Sequence, residues 1–208
     1  MKFVQKFLNE SFAKSAAQFM QYICYLIMVF MVFCMVLICM GRQTFFLHTQ
    51  TGTYEQAIYA EENHAPSSRS LTIHSGDDIH VWTNEEDEID VLTQVGISLM
   101  YALQLIPLIF AYWTLSRVFS NVHKGEIFAE SNVHYLLWYG VLQFSVGLFV
   151  PFLKLILCAL TNLISSSRIS ISTGQDMLSA IVPSVAFILA AYIIHYGIHL
   201  QDEVDHTL

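Results

Sequence analysis

The sequence predicts an all-α membrane protein: four transmembrane helices, with an extracytoplasmic loop that contains a small β-hairpin. Three observations lead there. Four apolar runs, at residues 19–40, 91–115, 136–160 and 177–200, are each long enough to cross ~30 Å of hydrocarbon as a helix. Hydrophobic residues make up 55% of the chain and charged ones 12%, with a mean hydropathy of +0.52, which separates it from soluble domains of its length. The stretch 41–90 between the first two runs is polar, and it carries an alternating apolar pattern of its own. A single membrane domain is expected over residues 1–208.

The first run, FMQYICYLIMVFMVFCMVLICM, begins too far in and runs too long for an ordinary signal peptide, and no small-residue cleavage site follows it. It reads as a retained span. Met20, Met28, Met31, Met35 and Met40, with Phe30 and Phe33, give it a soft surface for lipid or a partner helix. The lysine-bearing segment before it fits either an interfacial helix or a plain charged flank.

In the loop, SLTIHSGDDIHVWT alternates Leu71 and Ile73, then Ile79 and Val81, around a Gly-containing turn. That pattern predicts the hairpin. NEEDEID, residues 84–90, is too acidic to bury and lacks the ligand alternation and central glycine of an EF-hand loop, so it reads as a solvated segment.

The second run carries Gln94, Gln104 and Pro107. The third carries Gly140, Gln143, Ser145, Gly147 and Pro151, and the fourth carries Pro183. Uncharged polar groups of this kind serve hydrogen bonds between helices, and glycines seven apart permit a close crossing. Lys154 is the one charge inside a run. Its stem can snorkel to the interface, or it can pair with Asp176 at the start of the fourth span. Cys24, Cys34, Cys39 and Cys158 all fall within apolar runs, which predicts buried thiols rather than a disulfide framework.

Lys2, Lys6, Lys14, Arg117 and Lys124 lie on one side of the four-span layout, against Arg42, Arg69 and Arg168 on the other. The bias predicts cytoplasmic N and C termini and a cytoplasmic link at 116–135. No Gly-rich phosphate cradle, nucleophile elbow or HExxH helix occurs, so no catalytic residue and no cofactor is assigned. A net charge of −8 excludes a nucleic-acid partner.

Two polar segments fall on the predicted cytoplasmic side, LSRVFSNVHKGEIFAESNVHYL and GIHLQDEVDHTL. In the first, Lys124-Gly125 reads as a turn, and Ser131 or Asn132 as the cap of the third span. In the second, His195 and His199 share a helical face that Glu203 continues. This invites a zinc site completed by His123, Glu126 or His134. The stronger reading is a structural latch joining the segments through Glu126, Glu203 or Asp205.

The same segments resemble a family of bacterial four-span membrane proteins classed as a domain of unknown function. Gly125, Glu126, Phe128 and Asn132 match its Gly-Glu-x-Phe link, and Gly197, Leu200, Glu203, Asp205 and Thr207 match its C-terminal pattern. The loop here is longer and more acidic than that pattern, and His195 and His199 stand where basic residues are common. The resemblance implies a bacterial cytoplasmic membrane location, and it supplies no enzyme activity or cofactor. Genes of the family often lie beside a small helix-turn-helix regulator, which implies a regulatory or envelope-stress role. The function expected is a non-enzymatic component of the lipid bilayer, acting through a membrane protein partner or as a homo-oligomer. A small oligomeric transporter or channel subunit is the alternative, suggested by the prolines and glutamines within the spans.

Overall fold

A computed structural model describes residues 10–58, 71, 73, 77–84, 88–172 and 177–207. Four long helices, α1 (Glu10–Cys39), α2 (Val91–Lys124), α3 (Glu130–Ile164) and α4 (Met177–Thr207), alternate with four short strands. The strands are β1 (Thr44–His48), β2 (Thr53–Ile58), β3 (Asp78–Trp82) and β4 (Arg168–Ser172). Each helix contains a stretch long and apolar enough to cross a membrane. Helices α2, α3 and α4 continue through Pro107, Pro151 and Pro183. The chain forms two compact units, and the longer helices contribute residues to both.

One unit comprises residues 31–106 and 148–177. Its sheet runs in the order β2-β1-β3-β4. The β-hairpin is present, but it forms between β1 and β2, across the Thr49–Gly52 turn. This corrects the placement expected from residues 71–82. Of that pattern, Ile79 and Val81 lie in β3, while Ile73 makes only an isolated bridge to Gln43. Strand β3 pairs in parallel with β1 and antiparallel with β4. A period-2 pattern specifies which face is buried, but not which strand lies alongside.

Strand β4 comes from the connection between α3 and α4, yet it pairs with β3 from the connection between α1 and α2. Both connections therefore lie on one side of the membrane, as an even number of intervening spans requires. One face of the sheet sends Phe45, Leu47, Ile79, Val81 and Ile169 into a core with Ile38, Ile97, Met100, Tyr101 and Cys158. Full burial of each large side chain contributes about 1.5–3 kcal/mol. The opposite face carries Phe46, His48, His80 and Trp82, which stack on one another.

Asp90 caps the N-terminus of α2 by accepting the Leu92 N–H at 3.2 Å. Its other carboxylate oxygen accepts the Ser166 N–H at 3.3 Å and the Ser165 hydroxyl at 3.2 Å, tying the cap to the segment that enters β4. The Leu92 and Ser166 amides, with the serine hydroxyls, hold the Asp90 carboxyl below its ordinary range. A group whose pKa is lowered by folding stabilises the fold above its unfolded pKa and loses that contribution as pH falls through the folded value. We expect the detergent-solubilised protein to lose stability on acidification through and below the ordinary carboxylate range. Asp90→Asn keeps a capping acceptor and should show a shallower acid limb; identical acid limbs would remove Asp90 from that account.

The other unit comprises residues 1–30, 107–147 and 178–208. Here the four helices form a bundle around Cys24, Ala111, Leu115, Val118, Leu136, Tyr139 and Ala191. Helices α3 and α4 approach closely at Gly140, where an added Cβ would lie 2.6 Å from Ile188 and 3.0 Å from the Ser184 carbonyl oxygen. Only a glycine fits that crossing. The four cysteines are free thiols.

Candidate functional site

Two polar constructions stand out, one in each unit. In the bundle unit, α2 ends at Lys124 and the chain reverses at Gly125 with φ +90°. The Gly125 N–H donates to the Val122 carbonyl and the Glu126 N–H to the Asn121 carbonyl, which together make a Schellman cap. A side chain at 125 would be strained in that conformation. Asn132 does not cap α3, as expected above; the helix already starts at Glu130. Instead its buried amide turns back on the link. Nδ2 donates to the carbonyls of Glu126 at 2.6 Å and Ile127 at 3.0 Å, and Oδ1 accepts from Asn121 at 2.8 Å.

The link also meets the other helices of its unit. His123 Nδ1 is 3.1 Å from the Lys14 carbonyl oxygen of α1. The Phe128 ring lies against Gly197 of α4, where an added Cβ would sit 3.6 Å from it. The structure thus brings Gly125, Glu126, Phe128 and Asn132 into one turn, with Gly197 beside Phe128. Leu200 is exposed on α4. Glu203, Asp205 and Thr207 belong to α4, but their side chains lie outside the described residues, as does Asp176.

The rings of His195 and His199 meet edge to face at 4.8 Å. His195 lines a groove of ≈ 260 Å³ between α3 and α4, with Glu130, His134 and Tyr192 at its polar parts. His123 is engaged elsewhere. Among the described residues, no group of three or more His, Cys, Asp or Glu is arranged to hold a metal ion.

In the sheet unit, Lys154 does not snorkel. Its ammonium is buried and donates to Asp77 at 2.5 Å and to Gln104 Oε1 at 2.6 Å. The two charged side chains are 6% and 4% exposed. Asp77 immediately precedes β3, Gln104 lies on α2 and Lys154 on α3, so three elements meet at one ion pair. Sequence reasoning singled out Lys154 and Gln104 but missed Asp77. The only signal available was an acid next to a predicted strand, and Asp78 shares it. Nearby, Gln43 donates to Gln94 Oε1 at 2.7 Å, and Gln94 Nε2 donates to the Ile38 carbonyl.

Neither construction presents a nucleophile beside a base or an open metal site among the described residues. Both organise backbone and helices. Four apolar helices, polar connections and one neutralised intramembrane charge define a multi-pass membrane protein. The chain belongs to the family described as a protein of unknown function, DUF2975, whose model matches residues 55–208. That match includes both polar segments and β3, β4, α2, α3 and α4. No curated protein and no solved structure matches the chain.

Proposed function

We propose that the chain is a non-enzymatic integral membrane component that works through a protein partner, in a regulatory or envelope-stress role. One observation carries this reading. The single charged side chain within a span, Lys154, is committed to Asp77 and Gln104 in holding the sheet to two helices. A transport path commonly relies on ionisable groups at membrane depth, and this one is already engaged structurally. The link, by contrast, has a rigid backbone cap and leaves Ile127 and Phe128 exposed, which suits a surface read by another protein.

The proposed orientation puts the sheet outside a bacterial cytoplasmic membrane and the link with both termini inside, on the lysine and arginine bias given above. With the four native cysteines replaced, a cysteine introduced at Gly76 should react with an impermeant thiol reagent in intact cells and one at Lys124 should not; the reverse pattern inverts the orientation.

The test of function is native mass spectrometry of the complex purified gently from its own membrane. A stoichiometric second protein is the expected result. A homo-oligomer without one, together with solute or ion flux in liposomes, would overturn the reading in favour of a small transporter or channel.

A further inference from the structure

We propose that the groove between α2 and α3, at the end of the bundle nearest the link, binds one anionic phospholipid, with the Arg117 guanidinium donating to its phosphate. Phe110, Trp113 and Thr114 of α2 and Tyr135, Trp138 and Leu142 of α3 line this groove of ≈ 400 Å³. Phe110, Trp113 and Trp138 are exposed on helices long and apolar enough to cross a membrane, so the groove opens sideways to lipid. The Thr114 hydroxyl already donates to the Ala111 carbonyl at 2.7 Å, and no charged side chain lines the groove, so its interior suits an acyl chain. Tryptophan and tyrosine favour the membrane–water boundary, which sets the mouth of the groove at the depth of the headgroups. Phe110 and Leu142 lie at its deep end, and Tyr135 and Arg117 lie towards the link. Arg117 follows Phe110 by two helical turns, roughly 10 Å, enough to seat a glycerol backbone and the first methylenes below a headgroup.

The charge at the mouth selects the headgroup. Arg117 comes one turn after Trp113, and its Cζ lies 5.3 Å from the Trp113 ring centroid. That cation–π contact holds the guanidinium on a ring that lines the groove. The side chain is exposed, and no carboxylate pairs with it among the described residues. A guanidinium presents a planar fork of donors that matches a phosphodiester. Every phospholipid carries that group, so the rest of the headgroup decides. A choline or ethanolamine would set a second cation beside Arg117 and a Trp113 ring that already holds one, and no carboxylate lines the groove to receive it. A glycerol headgroup leaves the phosphate charge to Arg117 alone. The groove between α3 and α4 has the opposite character: Glu130 lines it and no Lys or Arg does, so it does not select the same lipid. The inference rests on the membrane helices and is independent of the partner reading above.

The experiment places full-length Trp82→Phe protein, whose remaining tryptophans are Trp113 and Trp138, in phosphatidylcholine nanodiscs. Equal mole fractions of phosphatidylglycerol or phosphatidylcholine, each brominated in the upper acyl chain, are added, and quenching of indole emission reads occupancy of the groove. Phosphatidylglycerol should be favoured about 5-fold, the advantage expected of one cation at the membrane surface. Arg117→Gln should bring the two lipids to parity. Lys124→Gln removes a charge from the same end of α2 outside the groove and should leave the preference in place. Equal quenching by the two lipids before substitution means a general lipid annulus and overturns the site, as does a preference for phosphatidylcholine. A preference that survives Arg117→Gln, or that falls as far in Lys124→Gln, also overturns it. Native mass spectrometry of the wild-type protein gives a reading that no variant's folding can confound. One phosphatidylglycerol per chain should persist through delipidation that strips phosphatidylcholine; loss of both alike counts against the site.

Discussion

Lys154→Met should destabilise the protein by about 3–5 kcal/mol, and Asp77→Leu should do the same, because each change removes one member of a buried ion pair. The pair is nearly fully buried, so solvent does not screen the loss. In Lys154→Met the Asp77 carboxylate loses the Lys154 ammonium, and Gln104 Oε1 loses its donor. In Asp77→Leu the ammonium keeps only the neutral Gln104. The double variant Lys154→Met/Asp77→Leu should recover most of the loss, because apolar side chains of similar volume often replace a buried pair at no cost or with a gain. The measurement is a double-mutant cycle of unfolding in detergent, with a coupling of about 3 kcal/mol expected. Additive single effects would mean that the charges do not depend on one another, and the joint between sheet and helices would need another basis.

Asn132→Ala should loosen the link without touching the apolar core of its bundle. The side chain spends both amide protons on the Glu126 and Ile127 carbonyls and its oxygen on Asn121. Three hydrogen bonds at about 1 kcal/mol each put the loss near 3 kcal/mol. Asn132→Asp keeps an acceptor for Asn121 but sets a carboxylate against two carbonyl oxygens, so it should be no better than alanine. Asn121→Ala removes fewer of these contacts and should cost about 1 kcal/mol. Limited proteolysis at the link, alongside thermal unfolding, reads both effects. Should Asn132→Ala be as stable and as protease-resistant as wild type, the link owes its shape to the Gly125 cap alone. If the exposed face at Ile127 and Phe128 is the partner surface, Asn132→Ala should also lose the second protein in native mass spectra.

The sheet and the link bear differently on what the protein does. The ion pair at Asp77 joins the start of β3 to α3, and Gln104 ties the same ammonium to α2. At the link, the Schellman cap and Asn132 fix a five-residue reversal rigid enough to be recognised.

The sequence by itself determined the membrane helices, the turn at Lys124-Gly125, the polar loop and the strand at Ile79–Val81. Each depends on residues adjacent in the chain: a span needs only consecutive apolar side chains, and a reversal after a helix needs a glycine where φ turns positive. Only the tertiary structure decided what the isolated polar groups do. Lys154 meets Asp77 rather than the interface, β4 joins the sheet from the third connection, Asn132 folds back onto the link, and His48 finds His80. The physical reason is common to all four. Local patterning fixes which face of an element is buried, whereas the partner of a buried polar group is set by which other segment arrives there. Strand register and helix crossing determine that arrival, and neither is written in any short stretch of sequence.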